Sequence, residues 1–305
     1  MLNAKEIRTR IKSIQDTRKI TNAMYMIASS KMRKAKAELD KTRPYFNALN
    51  NEIGQILQAV EGVDSPYFTS KATSDTRDET YGLLVITADK GLAGSYNKNV
   101  IRQAQRLLSN HPNSRLFVVG EYGRRFFTSQ GIPIVKSFLY TAQNPTMDRA
   151  REISSILLDL FEKKEIDKIY LIYSELKNSL VTDVVTSCLL PFEHSQLLSS
   201  DGKENKADLA TAFEFYPSID AILDNVVESW ISGFIYSALV DSFSSEQSAR
   251  MTAMNAANRN AEKILADLTL QYNWVRQATI TQEITEITAG ARAQKMKRQK
   301  EGQRS

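Results

Sequence analysis

The chain has 305 residues, 42% of them hydrophobic, enough for one large domain or two modest ones with a buried core. No run reaches the roughly eighteen uncharged apolar residues that a membrane-spanning helix requires, and the opening MLNAKEIRTR lacks the apolar stretch of a secretory signal. The net charge of +5 is segregated: residues 1–43 carry twelve Lys/Arg against four Asp/Glu, residues 44–290 twenty-two against thirty, and residues 291–305 six against one. A basic arm and a basic tail around an acidic middle suit nucleic acid, an acidic membrane surface or an acidic protein, and charge alone does not choose among them. Cys188 is the single cysteine, so an internal disulfide is excluded and a reducing compartment fits.

Helix breakers organise the chain. All seven prolines lie between Pro44 and Pro217, and neither Gly nor Pro occurs in residues 1–43 or in residues 234–289. Both stretches are predicted as single long helices, about 65 Å and about 84 Å at 1.5 Å per residue. The first carries an apolar stripe through Ile7, Ile11, Ile14, Ile20, Met24 and Ile27, and later Met32, Ala35 and Leu39. Between them the pattern alternates: strand 81–87 (YGLLVIT), helix 96–108, strand 115–119, helix 122–129, strand 132–138, helix 147–163, strand 168–173 and strand 179–190. That order predicts an open βαβ-type sheet. The polar segments 64–79 and 199–207 are expected as linkers.

The closing helix is expected to start just after Pro217, with a stripe through Leu223, Val226 or Val227, Trp230, Phe234 and Ala238. Farther on the stripe runs through Ile264, Leu268, Tyr272, Val275, Ile280, Ile284, Ile287 and Ala291, and at Ala253, Ala256, Ala257 and Ala261 it becomes small, which implies close helix approach. Narrow stripes fit either a pair of helices in an ordinary bundle or a coiled coil outside the domain. Length favours the coil, since two such helices cannot bury both faces against a middle of roughly 130 residues.

The catalytic motifs are wanting. The loop TADKGLAGSYN, residues 87–97, follows a strand and opens a helix, where a phosphate loop would sit, but Lys90 precedes the glycines and no lysine stands between them and Ser95. Gly120 and Gly123 do not complete GxGxxG. His111 and His194 are the only histidines, and Cys188 lies beside Leu189 and Leu190 in a strand, the setting of a buried structural thiol. No GxSxG, HExxH or paired-carboxylate signature is present, so no catalytic residue, cofactor or metal is expected.

Three separated segments carry a resemblance. Residues 4–39 (AKEIRTRIKSIQDTRKITNAMYMIASSKMRKAKAEL) are similar to the opening helix of the gamma subunit of F-type ATP synthases. Residues 245–291, from SEQSARM to ITAGA, are similar to its closing helix, and DKGLAGSYN (89–97) resembles its loop after the first strand. The resemblance implies a long antiparallel two-helix coiled coil made of the N- and C-terminal segments, with an inserted open-sheet α/β (Rossmann-like) domain, an α+β or α/β fold. In residue numbers it implies a coiled-coil helix over 1–60, a linker over 61–80, the α/β domain over 81–195, a second linker over 196–216, the C-terminal helix over 217–291 and a basic tail over 292–305.

The implied function is that of a central stalk: a non-catalytic rotor subunit turning inside a ring of alternating alpha and beta subunits, with the α/β domain, beside the epsilon subunit, on the membrane c-ring. Catalysis would belong to the beta subunits, and contact with the membrane would come only through the complex, at the cytoplasmic face of a bacterial cell membrane. The resemblance places Met24, Lys31, Arg33, Lys34, Lys36, Arg250, Arg276, Gln277, Thr281 and Glu283 at the interface with the ring. Met24 stands in TNAMYMI where the family has a TKAMEMV-like run, and Asn22 and Tyr25 replace that run's lysine and glutamate. The lysines and arginines of residues 31–36 suit acidic beta-subunit loops through a salt-sensitive contact. Trp274 stands where relatives carry a basic residue, the paired-cysteine insertion of photosynthetic types is missing, and the basic tail runs beyond the usual end. A scaffold or nucleic-acid-binding protein using the basic first helix is the rival, though residues 1–43 offer only Tyr25 as a stacking aromatic.

Overall fold

The computed structural model describes residues 4–59, 67, 79–139, 142–177, 182–192 and 219–302. The expected linkers, apart from Tyr67, Glu79 and Thr80, lie outside the described residues, as does His194. In chain order the elements are α1 (Ala4–Ala59), β1 (Tyr81–Ile86), α2 (Tyr96–Asn110), β2 (Ser114–Val119), α3 (Glu121–Ser129), β3 (Ile134–Phe138), α4 (Met147–Glu162), β4 (Lys168–Leu176), β5 (Thr182–Leu190) and α5 (Ile219–Gly302). The chain divides into two compact units, residues 27–253 and residues 1–26 with 254–305.

The larger unit is built on one sheet of order β3-β2-β1-β4-β5. β1 pairs in parallel with β2 and β4, β2 with β3, and β5 closes the far edge antiparallel to β4. Every residue of β1 is buried because the sheet is covered on both faces, which is why YGLLVI reads as an unbroken apolar run. Successive side chains take opposite faces. Leu83 and Val85, with Leu116 and Val118, meet Val100, Ile101 and Ala104 of α2 and Phe127 of α3. Leu84 and Ile86, with Phe117 and Val119, join Ile153 and Leu157 of α4 and Ile231, Ile235 and Leu239 of α5. α4 starts where the Thr146 side chain accepts a bond from the Arg149 N–H.

The smaller unit is a pair of antiparallel helical segments, from α1 and α5. The Thr21 hydroxyl donates to the Asn258 side-chain oxygen, and Arg18 meets Glu262 at 2.7 Å. Ile7, Met254 and Leu268 are buried in this unit, and Ile11, Ile14, Tyr272 and Val275 are half-buried. Residue numbers facing each other in those two contacts sum to 279 or 280, so Ala4 stands opposite residues 275 and 276. From Arg276 to Met296 every residue of α5 is exposed.

Two boundaries differ from expectation for physical reasons, and α1 runs on past the breaker-free stretch 1–43. α1 continues through Pro44, which is exposed; the proline removes one intrahelical donor and leaves the Asp40 carbonyl to solvent. β4 extends to Leu176 because β5 pairs with it down to Leu176↔Thr182, a tertiary match that no local pattern carries. α5 runs past residue 291 to Gly302, since RAQKMKRQKE is made of strong helix formers and Gly290 alone does not end a helix.

Candidate functional site

In an open α/β sheet, ligands bind beyond the carboxyl ends of the strands, where the crossovers diverge. Here that point lies between β1 and β4. The loop leaving β1 is fixed to the chain itself. The Thr87 hydroxyl donates to the Val119 carbonyl at 2.8 Å and accepts the Gly123 N–H at 3.0 Å. The Ala88 N–H donates to the Asn97 side-chain oxygen at 2.9 Å, and Asp89 Oδ1 accepts the Glu121 N–H at 2.9 Å. Gly120, at φ 95, is required by this packing: a Cβ there would lie 2.2 Å from the Thr87 carbonyl oxygen.

The crevice beside the loop is filled by α5. Tyr96 donates its hydroxyl to Ser242 Oγ at 3.1 Å, and the Ser174 N–H donates to the same oxygen at 3.2 Å. Ser245 Oγ donates to the Ser174 carbonyl at 3.1 Å. Ala249 packs against Ala88, Ala93 and Tyr96. From the next position, the Arg250 guanidinium donates to the Gly91 carbonyl at 3.0 Å and pairs with Glu246 at 2.6 Å. With side-chain exposures of 12% and 7%, this pair is shielded from water, unlike a surface ion pair. Burial pushes the Glu246 carboxyl above its ordinary value, Asp89 adds to the rise, and Arg250 and Lys31 oppose it. The Tyr96 hydroxyl is likewise raised, first by burial and then by Glu246. Asp89 Oδ2 is buried with no hydrogen-bond partner among the described residues.

The residues named from the resemblance fall in several places. Met24 is half-buried on α1, and Lys31, Arg33, Lys34 and Lys36 are exposed on the same helix. Arg33 is steadied by a 2.8 Å bond to Ser29 Oγ. Arg276, Gln277, Thr281 and Glu283 are all exposed in the part of α5 that outruns α1. Gln277 and Thr281 are four residues apart and share one helix face, and Arg276 and Glu283, seven apart, share another. Arg250 is half-buried, with its guanidinium on Glu246 and the Gly91 carbonyl. Of the run SFSSEQS, residues 242–248, only SEQS was legible, as part of a family motif; all seven residues are buried and form the seat of α5 on the sheet. A run of polar residues inside an otherwise apolar helical stretch was the available signal. Among the described residues, no helix is long and apolar enough to cross a membrane, and no group of three His, Cys, Asp or Glu is placed to hold a metal.

Fold and site define an α/β protein of the doubly wound kind whose ligand crevice is filled by its own C-terminal helix, and whose terminal segments pair antiparallel. A family profile described as ATP synthase matches residues 3–294. The ATP synthase gamma chain of Ruminiclostridium cellulolyticum is 40% identical over 95% of this chain and 98% of its own length. That of Caldanaerobacter subterraneus subsp. tengcongensis is 41% identical over 95% and 99%. Among solved structures, a chain of the central stalk and c-ring of the Tetrahymena thermophila mitochondrial ATP synthase is 27% identical, covers 78% of this chain and 99% of its own, and superposes with a TM-score of 0.58. The chain belongs to the ATP synthase gamma chain family.

Proposed function

We propose that this chain is the central-stalk rotor subunit of an F-type ATP synthase. It couples ion-driven rotation of the membrane c-ring to conformational change, and so to ATP synthesis or hydrolysis, at catalytic sites on the beta subunits. It makes and breaks no bonds itself. Its partners are three alpha and three beta subunits, an epsilon subunit and the c-ring, and it lies at the cytoplasmic face of the bacterial membrane without entering the bilayer. The observation that carries this reading is the end-to-end correspondence with gamma chains, 95% of this chain against 98% of the relative's length.

The division of labour follows the elements. Residues 1–60 and 217–291 serve as the shaft, residues 81–195 as the base, and 61–80 and 196–216 as the connections between them. The shaft works by side-chain contact, so the surface it offers must be exposed in the free chain. Arg276, Gln277, Thr281 and Glu283 meet that requirement, as do Lys31, Arg33, Lys34 and Lys36. Met24 is half-buried and contributes an edge. Removing α5 from Ile280 onward tests this. Co-purification with alpha and beta subunits should persist while ATP-driven torque falls, because most of the seam between α1 and α5 lies before that point. Loss of co-purification with undiminished torque in the residual complex would contradict it.

A further inference from the structure

The serines of α5 do something that helix packing alone does not require. β1 accompanies β4 only as far as the Val85↔Ile172 pair, but β4 continues to Leu176 with β5 on its other side. Beyond Ile172 the backbone on the vacated side of β4 therefore has no strand to bond, and burial leaves it no water. At Ser174, which is 2% exposed, α5 takes the place of the missing strand. Ser242 Oγ accepts the Ser174 N–H at 3.2 Å, and Ser245 Oγ donates to the Ser174 carbonyl at 3.1 Å. Tyr96, from the first turn of α2, donates to the same Ser242 oxygen at 3.1 Å, so β4, α2 and α5 meet at one hydroxyl. All three side chains are at most 4% exposed.

Apolar contacts between a helix and a sheet fix distance but tolerate sliding and rotation. Directional bonds from two hydroxyls to the N–H and C=O of one buried residue do not, because any slip leaves a donor or an acceptor unsatisfied in a dry interior. We infer that Ser242 and Ser245, bonded to the backbone of Ser174, are the torsional joint through which rotation of the sheet is delivered to α5. This rests on the central-stalk reading. Ser242 and Ser245 are positioning residues: they touch no substrate and act by holding one helix in one register.

The neighbouring Ser244 supplies the control. Its hydroxyl is buried on the same turn without a hydrogen-bond partner among the described residues, so Ser244→Ala makes the same chemical change where no bond is lost. The experiment uses the full complex reconstituted in vesicles, comparing wild type, the Ser242→Ala/Ser245→Ala double variant and Ser244→Ala. Two quantities are read: ions transported per ATP hydrolysed, and hydrogen exchange at the Ser174 amide. The expected result is that the double variant assembles, loses Ser174 protection and transports several-fold fewer ions per ATP, while Ser244→Ala matches wild type in both. Should the double variant not assemble, Ser245→Ala alone keeps both bonds to Ser242 and is expected to show a smaller loss of transport per ATP. Unchanged transport per ATP in whichever of these assembles, or an equal loss in Ser244→Ala, would overturn the joint. A wild-type chain that enters no ring of alpha and beta subunits would instead overturn the central-stalk reading.

Discussion

At the residue scale, two features of the sheet unit make quantitative demands. At Gly120, φ is 95 and a Cβ would fall 2.2 Å from the Thr87 carbonyl oxygen and 2.9 Å from that of Ala88. Both obstacles are backbone, so Gly120→Ala should cost at least about 2 kcal/mol in a denaturant melt. At Gly91 a Cβ meets nothing within 4 Å. Gly91→Ala should therefore stay within about 0.5 kcal/mol of wild type. The second feature is the pair Glu79 and Lys168, 2.7 Å apart at 19% and 25% side-chain exposure. Burial alone would raise the Glu79 carboxyl, but hydrogen bonds from Lys168 and Tyr81 and the charge of Lys168 outweigh it, and the folded value lies below the ordinary one. Lys168 is raised despite burial, chiefly by its bond to Glu79. A lowered carboxyl stabilises the fold above its unfolded value of about 4.3 and loses that contribution as pH falls through the folded value. Lys168→Met should cost about 1–2 kcal/mol at neutral pH and flatten the decline of stability on the acid side, both read from melts across pH.

At the element scale, α5 has two environments, and the same substitution should behave differently in each. Ile7 of α1 is 1% exposed in the seam with α5, so Ile7→Ala should lower stability by about 2–4 kcal/mol. Ile284 is 59% exposed where α5 outruns α1, and Ile284→Ser should leave the isolated chain within about 0.5 kcal/mol of wild type while weakening ATP-driven rotation of the complex. The elements themselves were largely legible. Stretches without Gly or Pro read as helices, and YGLLVI read as a doubly covered strand, because each is decided by local composition. The stripe through Ile280, Ile284 and Ile287 was legible as an apolar face but not as an exposed one, since exposure depends on where α1 begins. Residues 174–176 of β4 were missed for the same reason: pairing with β5 is a tertiary outcome. Ser242 and Ser245 were beyond any periodicity, because their partner at Ser174 is 68 and 71 residues away. Arg250 was legible as a motif residue and not as an inward-facing one, since nothing in SEQSARM states that Gly91 lies opposite.

At the scale of the whole molecule, a central stalk must be present in a single copy. The two terminal segments pair with each other through Arg18–Glu262, Thr21–Asn258 and the buried Ile7 and Leu268, so the seam of the shaft is completed within one chain. A rotor that must present different side chains to three equivalent catalytic sites in turn also has to be single, because a symmetric shaft would present the same face to each. The most direct measurement is native mass spectrometry of the complex formed when this chain is mixed with its alpha and beta subunits. One copy in each ring of three alpha and three beta subunits is the expected mass; two or three copies per ring would contradict the central-stalk account.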